Sequence, residues 1–122
     1  MLHNQVILIH EGRIEAMGEV EVPTAYQQLD AEGQLVSPGL MELQIYGSGG
    51  KLFSAYPTVE TLRQMDEHLI STGTTSFLVC LATNSINVFY QAIEAAKAYR
   101  AEAKGFMGLH LEGPYLNPKR LG

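Results

Sequence analysis

The sequence predicts an α/β chain: a small all-β unit over residues 1–37, then a β-α-β-α-β run over 38–122 whose strands lie parallel. Three observations lead to this class. Two stretches repeat apolar residues at three- and four-residue spacing, as amphipathic helices do. The run 74–83 is rich in β-branched and apolar residues without clean alternation, as expected of a strand buried on both faces. The first segment instead alternates and turns at Glu11-Gly12, where glycine supplies the positive φ that a tight hairpin needs.

Taken in order, 5–10 and 13–17 have strand character, and a third extended piece, 34–37, follows the turn-like Asp30-Ala31-Glu32-Gly33. Residues 40–45 are mostly apolar, the first strand of the second part. They lead into Gly47-Ser48-Gly49-Gly50, where the backbone must turn sharply or approach something closely. A helix begins near Pro57-Thr58, because first-turn amides lack partners anyway and Glu60 suits the positive end of the dipole. Its stripe is Val59, Leu62, Met65, Leu69 and Ile70, and Gly73 ends it. After the strand 74–83, Asn84 or Ser85 caps a second helix with the stripe Phe89, Ala92, Ile93, Ala96, Tyr99 and Ala103, closed by Lys104-Gly105. Both helices are expected to run about five turns. The last strand covers 106–112 and stops at Gly113-Pro114, since proline offers a ladder no donor.

Composition narrows the partners. Eight basic against thirteen acidic side chains give a formal charge of −5 and a pI near 5.2, the wrong sign for a nucleic-acid binder. At 46% hydrophobic and 17% charged, with a mean hydropathy of zero, the chain is expected to fold. Cys80, the single cysteine, lies within an apolar run and reads as a buried small hydrophobe. Nothing resembles a signal peptide, and no apolar run nears the ~20 residues needed to span a bilayer, so a reducing cytoplasmic location is the default expectation.

Parallel α/β sheets bind ligands at the carboxyl ends of their strands. Those ends are Gln44-Ile45-Tyr46, Ala82-Thr83-Asn84 and His110-Leu111-Glu112. Glu112 is the sharpest candidate, because a carboxylate ending a buried strand is costly unless paired or bound to a metal. The plain alternative is a solvated or salt-bridged strand end. His110 faces the same side by the two-residue period, although a lone strand histidine is more often packed and hydrogen-bonded than ligating. There is no H-x-H, no H-E-x-x-H and no cysteine pair, so the chain does not assemble a three- or four-ligand metal site by itself. The glycine cluster lacks the order of a dinucleotide fingerprint and the lysine-serine ending of a P-loop.

Residues 30–42, Asp30-Ala31-Glu32-Gly33 through Pro38-Gly39 to Glu42, resemble the D-A-x-G…P-G-x-x-D run that leads into strand one of the amidohydrolase superfamily barrel. His110-Leu111-Glu112-Gly113-Pro114-Tyr115-Leu116 is similar to the H-L-E-G-P-aromatic-L stretch of N-acetylglucosamine-6-phosphate deacetylases, and Gln44-Ile45-Tyr46-Gly47-Ser48-Gly49-Gly50 lies where they carry Q-x-N-G-x-G-G or H-x-H-G. The resemblance implies the start of a (β/α)8 TIM-type barrel preceded by a small β-sandwich-like segment, incomplete on its own, because a whole barrel needs roughly 200 residues or more. It also implies that Glu112 binds one divalent metal (zinc, iron or manganese) and that Gln44, Tyr46 and Tyr115 are candidates for lining a substrate pocket. With Gln44 and Tyr46 in place of H-x-H, a single metal is expected. The implied substrate is an amino-sugar phosphate whose acetamide is hydrolysed, with two histidine ligands and an aspartate acid/base supplied from further along the polypeptide. Lys119 and Arg120 are either attractors of a sugar phosphate or a solvated pair. The chain alone is expected to be inactive and to associate with the rest of the enzyme or with itself. The other readings are a non-enzymatic α/β fragment or interaction module, and an amidohydrolase acting on a cyclic amide.

Overall fold

The computed structural model describes residues 5–115, Asn117 and Lys119, and divides the chain into two units, Met1–Val36 and Ser37–Gly122. In the first, β1 (Val6–His10) pairs antiparallel with β2 (Arg13–Gly18). Glu11 and Gly12, at φ 48° and 73°, supply the two left-handed residues of a two-residue hairpin loop. Residues 34–37 are not a strand, contrary to the expectation from sequence. The Gln34 amide donates to the Ala31 carbonyl and the Glu32 amide to Asp30 Oδ1, so the local polar groups close a turn and no ladder partner lies alongside. Among its described residues this unit therefore holds one hairpin, not a sandwich.

The second unit runs β3 (Leu40–Ile45), β4 (Gly47–Ser48), β5 (Lys51–Leu52), α1 (Val59–Ser71), β6 (Thr74–Leu81), α2 (Ile86–Tyr99) and β7 (Phe106–Leu111). β3, β6 and β7 form a parallel sheet in that order, with α1 and α2 as the crossovers. The glycine cluster folds as the tight antiparallel pair β4–β5. Gly47 is required there, because a Cβ would sit 2.1 Å from the Lys51 carbonyl oxygen.

Thr58 caps α1, its Oγ1 accepting the Thr61 amide at 3.2 Å, which leaves Pro57 just outside the helix. Gly73, at φ 95°, takes the chain out of it. Leu62, Met65 and Leu69 are buried as the stripe requires, whereas Ile70 stays 36% exposed. Ser85 is the N-cap of α2, and Asn84 Oδ1 accepts its amide. The helices have 13 and 14 residues, about four turns rather than five. α2 ends at Tyr99, short of the expected Ala103, and the cause is a residue on the other helix. Asp66 is fully buried; its Oδ2 accepts the Tyr99 hydroxyl and the Lys104 amide, and its Oδ1 the Gly105 amide, all at 2.8 Å. A buried carboxylate needs this many donors, and residues 104 and 105 can aim their amides at it only by leaving the helix. Burial, then the Asp66 hydrogen bond, raises the Tyr99 phenol well above its ordinary value.

Phe77, Val79 and Leu81 of β6 pack with Leu62, Met65 and Leu69 of α1, with Phe89, Ala92, Ala95 and Tyr99 of α2, and with Phe53 and Phe106. The sheet thus buries the odd-numbered side chains of β6 against the helices, and the even-numbered ones face the other way. No helix among the described residues is long and apolar enough to cross a membrane.

Candidate functional site

The carboxyl ends of the three parallel strands meet at Glu112. β7 ends one residue earlier, yet the Glu112 amide still donates to the Leu81 carbonyl at 3.0 Å and its carbonyl accepts Thr83 Oγ1 at 3.0 Å. Both backbone groups are tied to the β6 end, so the direction of the side chain is set by the sheet. Gly113, at φ 112°, then turns the chain where a Cβ would lie 2.5 Å from Thr83 Oγ1.

Glu112 Oε2 accepts the Tyr46 hydroxyl at 2.7 Å, and the Cys80 thiol stands 3.7 Å from the same oxygen. Gln44 Nε2 donates to the Tyr46 hydroxyl oxygen at 3.0 Å. A hydroxyl that accepts from Gln44 keeps its one hydrogen for Glu112, which gives the relay a direction. The Glu112 carboxylate holds that proton on Tyr46 and lifts its phenol to about 12. Burial is the main cause of the raised Cys80 thiol, which keeps the sulfur protonated and able to donate. No described residue donates to Oε1.

A bulge in β3 brings Gln44 and Tyr46 here. Pairing with β6 breaks between Glu42 and Ile45, and the freed groups find other partners: the Gln44 amide bonds Glu42 Oε1 at 2.9 Å, and the Leu43 carbonyl faces His110 Nδ1 at 3.0 Å. A carbonyl only accepts, so Nδ1 carries the hydrogen. His110 is therefore a packed, hydrogen-bonded strand histidine that ties β7 to the β3 bulge.

Among the sequence candidates, the structure brings Glu112, Gln44 and Tyr46 together. Tyr115 is 94% exposed and makes no hydrogen bond to this network. Lys119 donates its amide to Asn117 Oδ1. Arg120, and Leu116 of the H-L-E-G-P block, lie outside the described residues. Cys80 was missed. It is fully buried as a small hydrophobe would be, but strand alternation sets it opposite Phe77, Val79 and Leu81, on the Glu112 side, and its Cα partner in β7 is His110. That period of two was the available signal.

A carboxylate oxygen without a donor suits a divalent cation. Among the described residues, however, no group of three or more His, Cys, Asp or Glu is placed to hold a metal ion. Gln44 and Tyr46 are engaged with each other and with Glu112. The donor chemistry fits a metal ligand at Glu112 and supplies one such ligand.

No family model matches the chain. It is 32% identical, over its whole length, to an N-acetylglucosamine-6-phosphate deacetylase from Haemophilus influenzae, and covers 32% of that protein. The crystal structure of N-acetylglucosamine-6-phosphate deacetylase from Pasteurella multocida superimposes with a TM-score of 0.86 at 32% identity, over 97% of this chain and 32% of that one. The chain is a homologue of N-acetylglucosamine-6-phosphate deacetylases over their amino-terminal part. It spans about a third of the length of these deacetylases. An N-acetylgalactosamine-6-phosphate deacetylase from a Shewanella strain is 38% identical over 74% of the chain, which covers 23% of that protein. The parallel three-stranded sheet with two helices is thus the architecture of a deacetylase amino-terminal region, and the matched span includes every residue of the Glu112 network.

Proposed function

We propose that the full protein carrying this chain hydrolyses the acetamide of N-acetylglucosamine 6-phosphate, giving glucosamine 6-phosphate and acetate, and works in the cytoplasm. The observation that carries the reading is the homology, along the entire chain, to enzymes of that name. In the same reading, residues 38–122 begin a (β/α)8 barrel. Sequential parallel order β3-β6-β7 with helical crossovers suits its first three staves. β3 leaves Leu40, Met41 and Leu43 exposed at a sheet edge, which favours cover by further strands of the enzyme or by a second copy.

Glu112 serves as one ligand of a divalent ion (zinc, iron or manganese), and the other ligands come from beyond these 122 residues. Such an ion, when bound, supplies Lewis acidity that polarises an amide carbonyl and acidifies water. The residues of this chain orient and shape the site. Backbone bonds to the β6 end aim Glu112, and the His110 contact sets where the bulge holds Gln44 and Tyr46. Without the remaining ligands and a proton-transferring group, the 122 residues alone release no acetate.

The Shewanella relative favours a second reading, in which the substrate is the C4 epimer, N-acetylgalactosamine 6-phosphate. Acetate release by the full-length protein from both sugar phosphates, beside ring opening of a cyclic amide as control, decides between them. The account expects the gluco epimer to give the larger kcat/KM. Preference for the galacto epimer establishes the second reading, and hydrolysis of the cyclic amide alone overturns both.

A further inference from the structure

Two hydrogen-bond donors from two different strands converge on a single oxygen of Glu112. The Tyr46 hydroxyl reaches Oε2 at 2.7 Å from the β3 end, the Cys80 thiol approaches it at 3.7 Å from β6, and Oε1 receives no donor from a described residue. A glutamate carboxylate otherwise turns freely about its last torsion, which is broad and two-fold, and it can offer a cation one oxygen or both. Here that torsion is pinned. The backbone of Glu112 is tied to Leu81 and Thr83, and the Tyr46 bond adds a fixed point at the far end of the side chain. Tyr46 is itself aimed, because Gln44 Nε2 occupies its acceptor side and directs the hydroxyl hydrogen to Glu112.

We propose that Tyr46 is a positioning residue that makes Glu112 a one-oxygen metal ligand: it holds Oε2 and leaves Oε1 alone to face the cation. Gln44 orients Tyr46, and Cys80 adds a weaker second donor. This rests on reading Glu112 as a ligand and goes beyond it, since a ligand glutamate need not be locked to one oxygen. Tyr46 acts through Glu112 and does not touch the ion. Outer partners of this kind typically change metal affinity by roughly 10- to 100-fold.

The test uses the full-length protein stripped of metal and titrated with Zn2+ and with Mn2+ by calorimetry, as wild type, Tyr46→Phe, Gln44→Leu and Glu112→Gln. Infrared difference spectra of the carboxylate stretches are recorded on the same samples, because the splitting between the two stretches separates one-oxygen from two-oxygen coordination. Tyr46→Phe keeps the ring and removes only the hydroxyl. It is expected to weaken metal binding about tenfold or more, to shift the splitting toward two-oxygen coordination, and to leave unfolding of the metal-free protein unchanged. Gln44→Leu is expected to move the same readouts by less, and it carries the test if Tyr46→Phe does not fold. A wild-type affinity and splitting in the hydroxyl-free variant, with binding lost in Glu112→Gln, overturns the positioning role and keeps the ligand. Wild-type binding in Glu112→Gln overturns both.

Discussion

The hairpin unit and the sheet-and-helix unit start from similar local signals and end differently. Both contain runs of β-favouring residues, yet no described residue of 5–36 is buried, whereas Phe77, Val79, Cys80 and Leu81 of β6 are sealed. The difference is what the neighbouring segments supply. β6 is flanked by two parallel strands and covered by two helices that each present an apolar stripe, while Leu35 and Val36 have the right side chains and no ladder beside them. Strand propensity describes fit to a pleated, half-buried surface and does not create one.

The sharpest way to break this contrast is to strike the clasp that closes the second unit. Asp66→Ala leaves the Tyr99 hydroxyl and the Gly105 amide buried, and the Lys104 amide part-buried, without their acceptor. At about 1–3 kcal/mol for each unmet group, the full-length protein is expected to lose about 3 kcal/mol or more in denaturant unfolding. A loss under about 1 kcal/mol would mean that the clasp is dispensable.

The same clasp carries a pH signature. The Tyr99 phenol is raised in the folded chain, so its contribution is fully present below the unfolded tyrosine value of about 10 and is lost as pH climbs above it. Tyrosinate absorbance of the folded protein should show late-titrating groups, Tyr46 among them, of which Tyr99→Phe removes one. An unchanged titration curve in that variant would count against the buried Tyr99–Asp66 bond. A smaller effect is expected at Thr58→Ala, where losing the cap of α1 costs about 1 kcal/mol. Smallest of all is Leu35→Ala at a residue 72% exposed, with an expected shift below about 0.5 kcal/mol. A shift of about 2 kcal/mol would instead show that Leu35 is covered in the full-length protein, and the contrast would then belong to these 122 residues alone.

Much of the second unit was legible because its signals are local. The β3 bounds, the start of α1 near Pro57-Thr58 and the Gly73 stop are read from neighbouring residues, and the structure has them there to within a residue or two. The end of α2 was not legible, because Ala103 continues the apolar stripe and the residue that ends the helix, Asp66, lies on α1. The position of Glu112 at a strand end could be read from the H-L-E-G-P block. Its partnership with Tyr46 could not, since it depends on the β3 bulge, and no residue in Leu43-Gln44 announces a bulge. Cys80 was overlooked for a related reason: an unbroken apolar run hides which of its side chains turn from the core toward the strand-end site.

The central claim is that Glu112, held where three parallel strands end, is the functional carboxylate that this chain gives to a deacetylase. Its most direct test is acetate release from N-acetylglucosamine 6-phosphate by the metal-loaded full-length protein, compared with Glu112→Gln. The account predicts robust release by the wild type and a loss of about 100-fold or more in the variant. Equal rates in the two proteins, or no release by the wild type, would contradict it.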